Sequence, residues 1–159
     1  MNKANKSIMH DLHLAQLKAK YPSAPEAYLP IKKYNDNSAN ALTKCIIDFL
    51  IFSGYQAERI NTMGRYVDDS KIITDVVGFQ RKIGSGKYIK GTGTKGSADI
   101  SATIKGRSVK IEVKYGKDRQ SEYQKEYQAA IERAGGVYII ARDFDGFKEW
   151  YDNFIDNVK

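Results

Sequence analysis

Apolar and polar residues alternate with period two in two neighbouring runs, residues 98–104 and 109–115, and this pair carries the sharpest pattern in the chain. The residues between them, Lys105-Gly106-Arg107-Ser108, read as a tight hairpin turn. With Gly106 and Arg107 as a two-residue loop, Ile104 faces Val109, Ser101 faces Glu112 and Asp99 faces Lys114. Side chains alternate between the two faces of a strand. One face therefore gathers Ile100, Ala102, Ile104, Val109, Ile111 and Val113, and belongs on the core. The other gathers Asp99, Ser101, Thr103, Lys110, Glu112 and Lys114, with Asp99 and Glu112 as diagonal neighbours roughly 7–8 Å apart.

Around this hairpin the pattern switches to helical spacing. Residues 5–20 predict a helix with Ile8, Leu12, Ala15 and Ala19 on its stripe, stopped by Pro22 and Pro25. Residues 28–40 read as loop. Residues 41–52 predict the most apolar helix, carrying Leu42, Cys45, Ile46, Phe49 and Leu50 and closed by Gly54. Residues 55–61 read as a first strand. Residues 62–97 form a long insertion with one short helix or strand around 72–79. A helix over 121–134 presents Tyr123, Tyr127, Ala130, Ile131 and Ala134, and Gly135-Gly136 stops it before a buried strand at 137–141. A last helix over 146–157 carries Phe147, Trp150, Tyr151 and Phe154 on one face, with Val158 just beyond it. The class is α/β: a mixed central sheet flanked by helices, in the order αβββαβ, with an extra helix at each end. Residues 1–38 form an N-terminal helix and loop, and residues 39–159 the principal domain of one compact body.

Charge sharpens this picture. The chain of 159 residues carries a net charge of +7. Residues 80–120 hold eleven Lys and Arg against Asp99, Glu112 and Asp118, an excess of eight around the carboxylates. A basic band about an acidic site fits a polyanionic partner. Five glycines, Gly84, Gly86, Gly91, Gly93 and Gly96, lie among Lys87, Lys90 and Lys95. Gly91-x-Gly93-x-x-Gly96 matches a dinucleotide fingerprint in spelling only, because a strand follows where a helix is required. The expected role is a basic loop that grips a phosphate backbone. Arg59, Asn61, Lys117 and Arg119 are further candidates for phosphate contact. The single cysteine, Cys45, allows no internal disulfide and fits a reducing cytoplasm. No apolar run is long enough to predict a membrane span. His10 and His13 lie one helical turn apart, but no further ligand accompanies them.

Two carboxylates with a lysine beside them suit one or two Mg²⁺ ions and an anionic substrate. They equally suit an ordinary half-exposed hairpin with a cross-strand Asp–Lys pair. Resemblance separates the two readings. Asp99, twelve residues, then Glu112-Val113-Lys114 resembles the Asp…(Asp/Glu)-x-Lys signature of the PD-(D/E)xK nuclease superfamily. The fuller series adds Gly96-Ser97-Ala98 before Asp99, then Asp118, Ser121-x-x-Gln124 and Gly135-Gly136-Val137-Tyr138. It is similar to the VRR-NUC branch, over roughly residues 39–145. The resemblance implies a restriction-endonuclease-like core and a metal-dependent DNA endonuclease. It also implies that Asp99, Glu112 and the Val113 carbonyl hold Mg²⁺, for which Mn²⁺ substitutes. Lys114 and Gln124 would complete the catalytic set. Small stand-alone members resemble homodimers selective for branched DNA such as Holliday junctions. In that family the helix before the first strand often carries an acidic metal ligand, whereas Ser38-Ala39-Asn40 has no carboxylate here. The competing expectation is a non-catalytic nucleic-acid-binding module on the same fold.

Overall fold

A computed structural model of the chain describes residues 1–61, 64–89, 91 and 93–158. The chain divides into two units, Met1–Ile60 with Gly96–Lys159, and Asn61–Lys95. This division falls at the insertion rather than after residue 38. The N-terminal helix α1 (Lys3–Lys20) shares the core of the first unit through Met9.

The first unit is mixed α/β. Its sheet has four strands in the order β1 (Gln56–Arg59), β6 (Ile100–Ile104), β7 (Arg107–Val113), β8 (Val137–Ala141). The first three are antiparallel and β8 runs parallel to β7. Helix α2 (Ala39–Phe52) packs against β1, β6 and β7, and α4 (Phe144–Asn157) against α2 and β8. Together with α1 and α3 (Glu122–Arg133) these make four α-helices among the described residues.

The apolar face of the hairpin lies where alternation requires. Ile100, Ala102, Ile104, Val109, Ile111 and Val113 are all buried, packed beneath Leu42, Ile46, Phe49 and Leu50 of α2 and Phe144 and Phe147 of α4. Each of these side chains larger than alanine contributes roughly 1.5–3 kcal/mol by leaving water. Phe49 meets Phe144, Phe147 and Tyr151 edge-on, with ring centroids 4.9–6.1 Å apart.

The structure corrects the turn. Its two central residues are Lys105 and Gly106, at φ 50° and 75°, so the loop sits one residue earlier than expected. Both central residues of a type I′ turn need positive φ. Ile104 therefore pairs with Arg107 and Ile100 with Ile111. The register moves by two, so every side chain keeps its face. Continuing the ladder sets Asp99 opposite Glu112 rather than diagonal to it, and no longer opposite Lys114.

Three other expectations shift. In α1 the buried row is Asn5, Met9, His13 and Leu17, not the aliphatic stripe. Its polar members are satisfied, Asn5 Nδ2 donating to Asp145 and His13 Nδ1 accepting from the Lys32 N–H. No residue of α3 is buried, and Ala130 and Ala134 are exposed, because this helix packs mainly on the edge strand β8. For the same reason β8 is mostly half-buried.

The second unit holds the long insertion, which forms two short ladders rather than one helix or strand. β2 (Arg65–Asp68) pairs with β5 (Gly86–Ile89), and β3 (Lys71–Thr74) with β4 (Gln80–Ile83), both antiparallel. No described residue of this unit is buried. No helix of the described residues is long and apolar enough to cross a membrane.

Candidate active site

Backbone geometry positions the acidic pair first. Asp99 leads into β6, and its Oδ2 accepts the Val113 N–H at 2.9 Å, fixing the carboxylate against β7. Glu112 and Lys114 share the polar face of β7. That face is covered. Glu112 is 2 % exposed and Lys114 5 %.

Lys114 Nζ lies 3.0 Å from Glu112 Oε1 and donates to Gln124 Oε1 at 3.0 Å and to Asp118 Oδ2 at 3.3 Å. Gln124 Nε2 donates to Glu112 Oε1 at 2.5 Å. Tyr138 Oη, from β8, donates to Glu112 Oε2 at 3.4 Å.

Gln124 reaches this network because α3 begins with a capping box. Its Oε1 accepts the Ser121 N–H at 2.9 Å while Ser121 Oγ accepts the Gln124 N–H. One side chain thus caps the helix and ties Glu112 to Lys114. Gly96 docks the same turn. At φ +82° it lies against the Tyr123 carbonyl, where a Cβ would collide with backbone. Gly96→Ala is expected to destabilise the fold by about 2 kcal/mol or more and to displace Gln124. An unchanged thermal midpoint would refute that.

Burial pushes the Glu112 carboxyl above the ordinary range; hydrogen bonding to Lys114 pulls it back, and the neighbouring Asp99 charge adds to the rise. For Lys114, burial opposes the charge, yet the bonds and attraction of Glu112 and Asp118 outweigh it and raise the pKa. Lys114 is therefore an ammonium at neutral pH. Burial and Glu112 together also raise the Tyr138 phenol.

The donor set fits a hard divalent cation. Asp99 and Glu112 supply carboxylate oxygens from adjacent strands, and the Asp99 charge is close enough to raise the Glu112 carboxyl. Among the described residues no third His, Cys, Asp or Glu completes a cluster. The start of α2 adds none: Ser38 caps the helix, and Asn40 Oδ1 accepts from the Arg59 guanidinium at 2.9 Å.

The structure brings Asp99, Glu112, Val113, Lys114 and Gln124 together. Arg59 is not among them, since it pairs with Ile100 and shares the core side of the sheet. Lys117 and Arg119 lie exposed on either side of Asp118 in the loop after β7. Asn61, Lys87 and Lys95 belong to the second unit, with Lys87 Nζ 3.7 Å from Asp69. Lys90 lies outside the described residues. The paired histidines diverge: His13 stacks on Phe52 at 5.3 Å, whereas His10 is exposed beside Asp11.

Tyr138 and Asp118 belong to the residue series that carries the resemblance, without an assigned role there, and here they touch Glu112 and Lys114. The signal available was parity. Tyr138 pairs with Lys110 and so falls on the face of Glu112. Comparisons with protein-family models, curated proteins and solved structures find no match.

Proposed function

We propose that the chain is a Mg²⁺-dependent DNA endonuclease of the PD-(D/E)xK kind that hydrolyses phosphodiester bonds, with Mn²⁺ able to substitute. The observation that carries this reading is the convergence of Asp99, Glu112 and Lys114 on one covered face, with Gln124 bonded to both members of the Glu–Lys pair. The order α2, β1, β6, β7, α3, β8 supports a restriction-endonuclease-like core. Asp99 and Glu112, with the Val113 carbonyl, would hold the ion. When bound, such an ion lowers the pKa of a coordinated water and polarises a phosphate.

The chain's own residues do the rest. The Val113 N–H fixes Asp99, and Gln124 and Tyr138 fix Glu112, so both carboxylates are held before substrate arrives. Lys114, charged at neutral pH, donates to phosphate or water oxygens and offsets negative charge developing there. It does not serve as a base. Selectivity for branched DNA and cutting by a two-fold homodimer rest on the family resemblance alone.

The test is a panel of junction, flap, single-stranded and linear duplex DNA with Mg²⁺ or Mn²⁺, using wild type and Glu112→Ala. Metal-dependent cutting by wild type and its loss in the variant are expected. Undiminished cutting by the variant, or none by wild type on any substrate, would overturn the proposal.

One observation favours the second reading, a binding module without catalysis. Both Glu112 oxygens already have protein partners, Lys114 and Gln124 at Oε1 and Tyr138 at Oε2. Calorimetry with Mn²⁺ separates the two, since the module shows no heat that depends on Asp99 and Glu112.

A further inference from the structure

The insertion is built as one ribbon. Arg65↔Ile89 in the first ladder and Lys71↔Ile83 in the second belong to a single register, each step along one strand matched by a step back on the other. The ladders break only between them, where Gly84 at φ +100° lies against Ser70. Lys82 of β4 spans the break to Asp68 of β2 at 3.2 Å. Each leg runs from Arg65 to Asp75, or back, and at ~3.3 Å per residue reaches roughly 35 Å. That is about one turn of B-form DNA.

One face of the ribbon has a regular composition. Its ladder pairs are Arg65↔Ile89, Val67↔Lys87, Lys71↔Ile83 and Ile73↔Arg81, each joining a cation to an aliphatic side chain, and between the ladders the same face carries Asp69, 3.7 Å from Lys87, and Ser85. Ile73, Ile83 and Ile89 are exposed there, as are Val76, Val77 and Phe79 at the far end. The tip is set internally: Asp75 Oδ1 accepts the N–H groups of Val77 and Phe79, and the Phe79 carbonyl accepts the Asp75 N–H. Its valines are therefore held outward by a satisfied backbone. A two-stranded ribbon that buries nothing is marginal alone, so this surface needs a partner.

Charge selects the partner. The segment 61–95 holds seven Lys and Arg against three Asp, a net +4. Those three aspartates face cations of the ribbon itself, Lys82, Lys87 and Arg81. Stacking this face on a second copy would set Arg65, Lys71, Arg81 and Lys87 against their own kind. Duplex DNA offers the complement, with phosphates along both rims and apolar thymine methyls on the groove floor. The major groove admits a two-stranded ribbon, whereas the minor groove is half as wide.

We infer that the ribbon of residues 65–89 docks in the major groove of duplex DNA, with its alternating cation–aliphatic face turned to the groove. The inference rests on the nucleic-acid reading of the site and gives the chain a second means of holding duplex DNA.

The test uses the full chain and a labelled 30-base-pair duplex (roughly three turns) without metal, read by fluorescence anisotropy across salt. Arg65→Gln with Lys71→Gln removes two exposed cations that have no ion pair among the described residues. The double variant is expected to bind roughly 10- to 100-fold more weakly, with a salt slope smaller by about two. Ile73→Ser with Ile83→Ser should weaken binding and leave the slope unchanged. Methyl green in the major groove should compete, netropsin in the minor groove should not, and amides of both ladders should gain exchange protection on adding duplex.

Unchanged affinity and slope, competition by netropsin alone, or protection that follows self-association in place of DNA would each overturn the inference. The nuclease reading fails separately. A wild type that binds duplex through the ribbon but cuts nothing sinks that reading and keeps this one.

Discussion

Lys114→Met is expected to lose roughly 10²–10³-fold of metal-dependent DNA cleavage and about 3 kcal/mol of folding stability at neutral pH. Methionine nearly conserves volume, so the cost comes from leaving Glu112 buried without its cation. The pH dependence follows from the direction of the Glu112 shift. Its pKa in the fold lies above the unfolded value, so its contribution to stability is fully present below the unfolded pKa and lost as pH rises through the folded one. Removing Lys114 takes away an interaction that lowers this pKa. The loss then deepens and extends to higher pH. Urea melts between about pH 4 and pH 8 should show a deficit that opens as pH rises. Adding Glu112→Gln should recover stability and leave cutting absent, because the buried charge disappears along with the metal donor. A deficit independent of pH, or undiminished cutting by the single variant, would count against the whole arrangement.

Asp99→Asn separates fold from chemistry. The amide oxygen can accept the Val113 N–H that Asp99 accepts at 2.9 Å, so stability should stay within about 1 kcal/mol of wild type. Loss of the Asp99 charge also removes one cause of the Glu112 rise, which favours the variant slightly at neutral pH. The anionic donor is nonetheless gone. Mn²⁺ binding by calorimetry should fall below detection, and cleavage should drop by roughly 10²-fold or more. A variant that melts like wild type and still binds Mn²⁺ with unchanged affinity would show that the metal, if any, sits elsewhere.

The two faces of the hairpin are legible in the sequence because a period-two pattern survives a register shift of two. The turn reads one residue late in the sequence because Lys105, a residue with a Cβ, takes a positive φ beside Gly106. A register change of two left Asp99, Glu112 and Lys114 on the same face. A change of one would have scattered the core residues into solvent. Other elements were misread where polar side chains occupy inward positions. Asn5 and His13 do not count as apolar, so the buried face of α1 was assigned one row away from Met9 and Leu17. The stripe of α3 is real in spacing but has mainly an edge strand to cover. The ribbon was the least legible part. Along each strand its same-face positions alternate cation and aliphatic, as in Arg65-x-Val67 and Arg81-x-Ile83, so neither face is uniformly apolar and the usual period-two signal is missing.

The ribbon leaves and rejoins the sheet between two strands that are already partners. Arg59 pairs with Ile100, and the Ile60 N–H donates to the Asp99 carbonyl at 2.8 Å, so the insertion departs and returns at neighbouring strand ends. Lengthening such an excursion adds little closure entropy, about 0.6 kcal/mol per doubling. Selection can therefore trade, stretch or trim the segment without disturbing the pairing of β1 with β6. The length of the insertion and the geometry of the sheet are free to evolve on separate schedules.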